Sequence, residues 1–147
     1  MSRESRRLAA ILLILFPLVV WGGVSLLAML VDRGSGYADN KLRQDLWRAG
    51  HAHAAVLLLL SLLALRYVDE ANLSPRLKSA TRHAFPLAAI LLPVAFFLSA
   101  LSPDATEPNA LIYLAYVGAL VLVAGMLTLG IGLLRASRPE PRGESSR

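Results

Sequence analysis

Four long apolar segments separated by short polar links constrain this chain more than any other feature of its sequence. An α-helix rises 1.5 Å per residue, so about 20 apolar residues cross the hydrocarbon core of a bilayer, which is roughly 30 Å thick. With their flanks, the four segments predict helices at about residues 8–31, 41–66, 75–101 and 109–134. We therefore expect an all-α, polytopic membrane protein, a four-transmembrane-helix bundle whose transmembrane domain covers residues 1–134.

Capping residues place the starts of two of these helices. Asp39 or Asn40 is a typical N-cap for the second helix, because its side-chain oxygen can accept a hydrogen bond from a free N–H of the first turn. Ser74 followed by Pro75 is typical of an N-cap with proline at the first helical position. The second and third helices are therefore expected to begin several residues before their apolar segments.

The basic residues predict the orientation of the chain in the membrane. If the N-terminus is cytoplasmic, eleven Lys and Arg residues lie on the cytoplasmic side and four on the outer side. Cytoplasmic segments carry the excess of basic residues, so both termini are expected in the cytoplasm. The net charge of +5 then reflects orientation and not nucleic-acid binding. Residues 135–147, which are polar, are expected to form a disordered cytoplasmic tail.

The inventory of metal-binding residues is small. The chain contains no cysteine and only three histidines, so disulfides, thiolate metal sites and cysteine nucleophiles are excluded. In the expected orientation His51 and His53 lie near the outer surface, and His83 lies at the cytoplasmic start of the third helix, beside Arg82. His83 therefore cannot share a ligand with the other two in one monomer, and no specific role is expected for it.

His51 and His53 open the second apolar segment and face different directions. Two residues apart on a helix, they differ by about 160° around its axis. A stripe of small and apolar residues on the same helix is expected to pack against a neighbour; it consists of Gly50, Ala54, Leu57, Ser61 and Ala64. Because His53 lies closer to this stripe, we expect it to point into the bundle and His51 to meet a loop or a partner.

Ionisable groups at membrane depth are expensive and are candidates for function. Imidazole together with carboxylate can bind a transition metal or transfer a proton. The predicted outer site has His53 and His51 as cofactor ligands, and the predicted metal set is His53, His51, Asp104 and Glu107. Arg48, Asn109 and Tyr113 complete the polar outer mouth. The alternative is that both histidines are ordinary interfacial residues.

Glycines mark expected close helix contacts. Gly22 and Gly23 in the first helix would let a neighbour approach closely. In the fourth helix Gly118, Gly125 and Gly132 recur every seven residues, so they lie on one face. This face is expected to pack against another helix.

A polar face is expected in the outer half of the fourth helix. Asn109, Tyr113 and Tyr116 cluster on it, nearly opposite the glycine face. Aromatic residues of this kind anchor helices at the membrane interface. In a second interpretation the same face completes a polar outer pocket with His53 and Ser99.

Two segments carry a resemblance to known proteins. Residues 36–54, which include Gly50-His51-Ala52-His53, and residues 101–109 resemble a group of uncharacterised bacterial integral membrane proteins. This resemblance implies a multi-pass protein of the bacterial cell (inner) membrane. The Gly50–His53 motif is also similar to motifs in small four-helix relatives of haem-copper oxidase subunit I, which implies haem ligation by His51 or His53. This chain departs from those relatives because it has no second outer-side histidine on another helix, so haem would need another chain or a non-histidine ligand.

Three classes of function remain open at this point. The first is a non-enzymatic bundle whose outer mouth around His51 and His53 binds a ligand, a metal or a partner. The second is a haem-binding or redox accessory subunit. The third is a membrane enzyme that acts on lipid or quinone with His53 as general base. The cofactor is unknown, with haem or a transition metal as candidates, and the expected partners are the lipid bilayer, a second copy or a larger membrane complex.

Overall fold

The computed structural model describes residues 1–138 and contains no strand within that range. Its four long helices confirm the all-helical prediction, and all four are long and apolar enough to cross a membrane. Their bounds are α1 Arg3–Val31, α2 Lys41–Tyr67, α3 Pro75–Ser99 and α4 Leu114–Ala136, with short 3₁₀ turns at Arg33–Ser35 and Ala110–Tyr113. The predicted disordered tail falls largely on residues 139–147, which lie outside the described residues.

The capping residues act as predicted. The Asn40 side chain accepts a hydrogen bond from the backbone N–H of Arg43 at 3.0 Å, so Asn40 and not Asp39 is the N-cap of α2. Ser74 caps α3 and is followed by Pro75. α1 begins at Arg3, five residues before the predicted start, because the Ser2 hydroxyl accepts the N–H of Ser5.

The helices pack mainly in chain order. α2 and α3 contact each other extensively, α4 packs chiefly on α3, and α1 packs chiefly on α2. In the 18-residue apolar stretch of α1 only 6% of the residues are buried, against 39% in that of α3, so α1 is the peripheral helix. An exposed apolar face of this size is one that a soluble monomer rarely carries.

The connecting segments form two groups, one at each end of the helices. The Asn40 side-chain amide donates to the carbonyl of Pro103 at 2.7 Å, which joins the α1–α2 link (residues 32–40) to the α3–α4 link (residues 100–109). We call this the two-loop end. At the other end the backbone N–H of Ser2 donates to the Asp69 carboxylate in the α2–α3 turn (residues 68–74). We call this the termini end.

The predicted glycine face of α4 is buried against α3 and the α2–α3 turn. A Cβ atom at Gly118 would lie 2.9 Å from Leu92, one at Gly125 would lie 2.9 Å from the Cβ of Ala84, and one at Gly132 would lie 2.7 Å from Leu73. These distances are shorter than ordinary van der Waals contacts, so only glycine allows the present separation. The prediction of a close helix contact at this face is confirmed.

The small-residue stripe of α2 is also buried, and its partner is α3. Gly50 lies against Phe96 and Phe97, where a Cβ would approach within 3.1–3.2 Å. Further along, Leu57 packs in one cluster with Ala88 and Leu92. α3 therefore occupies the face of α2 that the sequence marks as a packing surface.

Replacing Gly125 with alanine is expected to destabilise the protein. The new methyl group meets the Ala84 Cβ, which is fixed to the backbone and cannot rotate away, so α3 and α4 must separate. We expect Gly125→Ala to lower the free energy of unfolding by about 1–3 kcal/mol. The measurement is denaturant-induced unfolding of the purified protein in non-ionic detergent.

Gly130→Ala is the matched control in the same helix. A Cβ at Gly130 meets nothing within 4 Å, so this variant is expected to be as stable as the wild type or slightly more stable, because alanine is the better helix former. Equal losses for the two variants would contradict the close-contact interpretation.

Candidate functional site

The two histidines of α2 face different neighbours, and His51 is the one that packs against another helix. A Cβ at Gly23 of α1 would lie 2.9 Å from the His51 Nε2 atom, and one at Gly22 would lie 3.8 Å from the Nδ1 atom. The half-buried imidazole therefore fills the space that the two glycines leave. The expected close approach at Gly22 and Gly23 is confirmed.

His53 is exposed. Its Nδ1 atom lies 2.7 Å from the carbonyl oxygen of Ala49 in the preceding turn of α2, and its ring centroid lies 5.1 Å from that of Phe96. This geometry corrects the expectation that His53 is the histidine that points inward. It also corrects the expectation that His51 meets a loop or a partner chain, because His51 contacts α1.

The reason lies in the arrangement of the neighbouring helices around α2. α3 covers the small-residue stripe, and α1 covers the face that carries residues seven positions apart, namely His51, Leu58 and Leu65. Leu58 and Leu65 pack with Leu12 of α1 in one cluster. On the other side of the stripe His53 meets the ring of Phe96 of α3 at its edge, and the imidazole stays exposed.

Asp104 and Glu107 lie apart from the histidines. Both are exposed and line a shallow depression in the α3–α4 link, together with Asn109. Within residues 1–138 no group of three or more His, Asp or Glu residues is placed to hold a metal ion. The structure therefore does not assemble the predicted metal set, which stays a prediction.

The Asn-Tyr face of α4 points outward. Tyr113 is 66% exposed and its ring stacks on that of Tyr116, with the ring centroids 6.2 Å apart. The Asn109 side chain instead caps the 3₁₀ turn and donates to the carbonyl of Leu98 at 2.9 Å. The exposed tyrosines do not form a pocket with His53. Their position is compatible with the other interpretation, which is anchoring at the membrane interface.

A cleft between α1 and α2 brings two of the predicted outer-mouth residues, Arg48 and His51, together. We call it the α1–α2 cleft, and its volume is about 240 Å³. The α1 wall is apolar, and polar groups come from the α1–α2 link and from α2. Its lining residues are Gly23, Leu26, Leu27, Leu30, Tyr37, Arg48 and His51.

Tyr37 is the lining residue that the sequence analysis missed. It lies in the α1–α2 link but is only 2% exposed, and its ring stacks on Trp47 with centroids 5.8 Å apart. Trp47 in turn lies under the guanidinium of Arg43, 4.2 Å from its ring centroid, and donates its indole N–H to the carbonyl of Phe97. Burial raises the pKa of Tyr37 above its ordinary value of 10.0, although Arg48 and Arg43 oppose this rise. The phenol is therefore neutral at physiological pH.

Arg48 carries the most accessible charge of the cleft. Its guanidinium donates to the backbone and side-chain oxygens of Gln44 and lies 3.5 Å from the Asp45 carboxylate. Asp45 pairs more closely with Lys41, at 2.8 Å. Such exposed pairs are weak, so Arg48 remains available for a ligand.

A second polar cluster, at the termini end, was also missed. Arg82 of α3 is buried, and its guanidinium binds Glu4 and Ser5 of α1 and the Asp69 carboxylate, the last at 3.0 Å. A single arginine at the start of a helix gives no local signal of this role, because its partners are distant in sequence. His83, beside it, is exposed.

The pKa of Asp69 reflects this cluster. Burial opposes its ionisation, but hydrogen bonds from the backbone N–H of Ser2, from Ser5 and from Arg82 outweigh the burial and hold the pKa at about 2. The folded protein thus favours the charged carboxylate more than the unfolded chain does. Asp69 therefore stabilises the fold above pH ~4 and loses that contribution as the pH falls toward ~2.

Asp69→Asn is expected to lower the free energy of unfolding by about 2 kcal/mol at neutral pH. The difference from the wild type should shrink as the pH falls from about 4 toward 2, because the wild-type carboxylate then becomes neutral as well. The measurement is denaturant-induced unfolding in non-ionic detergent across this pH range. Asp45→Asn, which removes an exposed ion pair, serves as the control and should leave the free energy of unfolding almost unchanged. A loss for Asp69→Asn that stays constant down to pH ~2 would refute the assigned role.

Comparisons with protein-family models, with curated proteins and with solved structures gave no match for this chain. What the protein does must therefore be inferred from its own side chains. Within the described residues the α1–α2 cleft combines an apolar wall, a buried hydroxyl, an imidazole and an available guanidinium. It is the candidate functional site.

Proposed function

We propose that this chain is a multi-pass protein of the bacterial cell (inner) membrane with both termini in the cytoplasm. In this proposal it is a non-enzymatic protein that binds a small ligand in the α1–α2 cleft. The two-loop end then faces outward and the termini end faces the cytoplasm. The observation that carries the proposal is the cleft itself, with His51, Arg48 and Tyr37 at one end of a leucine-lined wall.

Two features support the position in the membrane. The helices expose large apolar side chains along their lengths, most of all on α1, and this surface needs a lipid environment or a partner. Eleven of the 15 Lys and Arg residues lie on the side assigned to the cytoplasm. Both features favour the same placement.

The form of the cleft supports ligand binding. Ligand sites are concave and mostly apolar, with a few polar groups that fix the orientation of the ligand. The α1–α2 cleft has this composition, and its polar groups come from two different elements, the α1–α2 link and α2. His51, which the sequence predicts as a ligand-binding residue, lines the cleft. Its contact with Gly22 and Gly23 holds the imidazole in place there.

Binding is favoured over catalysis by the residues that line the cleft. General acid–base catalysis by a histidine usually needs a group that orients and polarises the imidazole. The seven described lining residues include no carboxylate that could act on His51. The exposed His53, formerly the candidate general base, lies outside the cleft.

The orientation can be tested with single cysteines, because the chain contains none. Ser102 lies in the α3–α4 link and Asn72 in the α2–α3 turn, and both are exposed. We expect a membrane-impermeant maleimide to label Ser102→Cys in intact spheroplasts and to label Asn72→Cys only after permeabilisation. The reverse labelling pattern would overturn the proposed orientation.

Filling the cleft tests ligand binding. Leu27 lines the cleft and Leu18 does not, although both are exposed on α1, at 60% and 64%. We expect native mass spectrometry of protein purified in non-ionic detergent to detect a bound small molecule on the wild type and on Leu18→Trp. Leu27→Trp should carry none, because the indole occupies the cleft. Equal occupancy of the two variants, or a wild type with no bound molecule, would rule out the proposal.

A further inference from the structure

Two buried donors near the α1–α2 cleft have no acceptor among the described residues. The hydroxyl group of Tyr37 and the Nε atom of Arg43 are both buried, and neither has a hydrogen-bond partner. A buried polar group without a partner costs about 1–3 kcal/mol. Native proteins rarely tolerate such groups unless something else satisfies them. Tyr37 lines the cleft, so a ligand in the cleft can supply the missing acceptor.

The charges near these donors favour a negatively charged ligand. Arg43 is 8% exposed and makes no ion pair within the described residues; it only stacks on Trp47. Within residues 1–138 Arg48 pairs with one carboxylate, Asp45, which it shares with Lys41. A buried cation without a counter-ion is unfavourable, and an anion at the mouth of the cleft would relieve this cost.

The shape of the cleft favours a ligand with an apolar chain. Its volume of about 240 Å³ lies below the 300–1,000 Å³ that is usual for the pocket of a drug-sized ligand. It can therefore hold a headgroup and only part of a chain. The wall formed by Leu26, Leu27 and Leu30 continues onto the exposed apolar face of α1, where the rest of a chain can lie.

Resting on the proposed function, we infer that the α1–α2 cleft binds a single-chain amphiphile with an oxyanion headgroup, a carboxylate or a phosphate. The headgroup accepts a hydrogen bond from the Tyr37 hydroxyl and a charge-assisted hydrogen bond from the guanidinium of Arg48. The acyl chain lies along Leu27 and Leu30 of α1. The same ligand brings a negative charge close to Arg43.

Native mass spectrometry in non-ionic detergent can compare defined probes. The probes are oleate, 1-oleoyl-lysophosphatidate, neutral oleyl alcohol and inorganic phosphate. We expect one molecule of oleate or of lysophosphatidate to bind per chain, and oleyl alcohol to bind at least about tenfold more weakly, since its hydroxyl carries no negative charge to pair with the Arg48 guanidinium. Inorganic phosphate alone should not bind measurably, because it lacks the chain.

Arg48→Gln and Lys41→Gln form a matched pair. Both side chains are exposed on the first turns of α2 and both pair with Asp45, but only Arg48 lines the cleft. We expect Arg48→Gln to weaken binding of the acidic probes about tenfold or more and to remove the preference over oleyl alcohol. Lys41→Gln should retain that preference.

Tyr37→Phe separates a ligand-binding role from a structural one. The hydroxyl has no partner in the free protein, so its removal should leave the free protein as stable as the wild type or more stable. The same variant should bind the acidic probes several-fold more weakly. A variant that loses stability but keeps full affinity would show that the hydroxyl is structural and would overturn the inference.

The remaining outcomes separate this inference from the proposed function. Equal binding of oleyl alcohol and oleate, equal effects of Arg48→Gln and Lys41→Gln, or phosphate binding as tight as that of lysophosphatidate would overturn the oxyanion amphiphile. In those cases the proposed function stands as long as Leu27→Trp excludes the bound molecule. If the wild type carries no bound molecule after purification, the proposed function falls, and the inference that rests on it falls as well.

Discussion

The contact between His51 and the glycine pair of α1 is the interaction on which the candidate site depends. α1 is peripheral and packs chiefly on α2. The contact between the His51 imidazole and the two glycines therefore fixes the distance between α1 and α2 at this point. The Leu12 cluster extends this contact toward the termini end. Toward the two-loop end the leucines of α1 leave the α1–α2 cleft open. The α1–α2 cleft thus results from the way α1 packs on α2.

The two ends of the molecule use arginine in opposite ways. At the termini end Arg82 is buried with carboxylates and hydroxyls that satisfy its donors, and it joins α1, α3 and the α2–α3 turn. Removing one partner of such a buried pair leaves a buried charge without compensation, so Arg82 has a structural role. At the two-loop end Arg43 is equally buried but has no carboxylate partner within residues 1–138, and Arg48 has only a weak one there. The same residue type is thus fully paired at one end and largely unpaired, among the described residues, at the other.

Local sequence signals predicted the helices well, because their causes are local. A capping oxygen acts within three residues of its position, as Asn40 and Ser74 do here, and an apolar segment of about 20 residues has few alternatives to a long helix. The glycine repeat of α4 also predicted a packing face, since residues seven apart lie on the same face of a helix whichever helix packs against it. The identity of the partner, α3, was not contained in the repeat.

The sequence by itself thus determined four apolar helices, the capped starts of α2 and α3, and the faces that must pack closely. Only the tertiary structure decided which helix covers each face. Helical geometry fixes the angle between His51 and His53, but α1 covers the first in part and leaves the second exposed. In the same way, the burial of Tyr37 and the pairing of Arg82 depend on residues far away in the chain. Helical periodicity gives the directions of side chains around one helix but does not identify the helices that cover them. For this reason the sequence favoured His53, whereas the structure places the candidate site in the α1–α2 cleft.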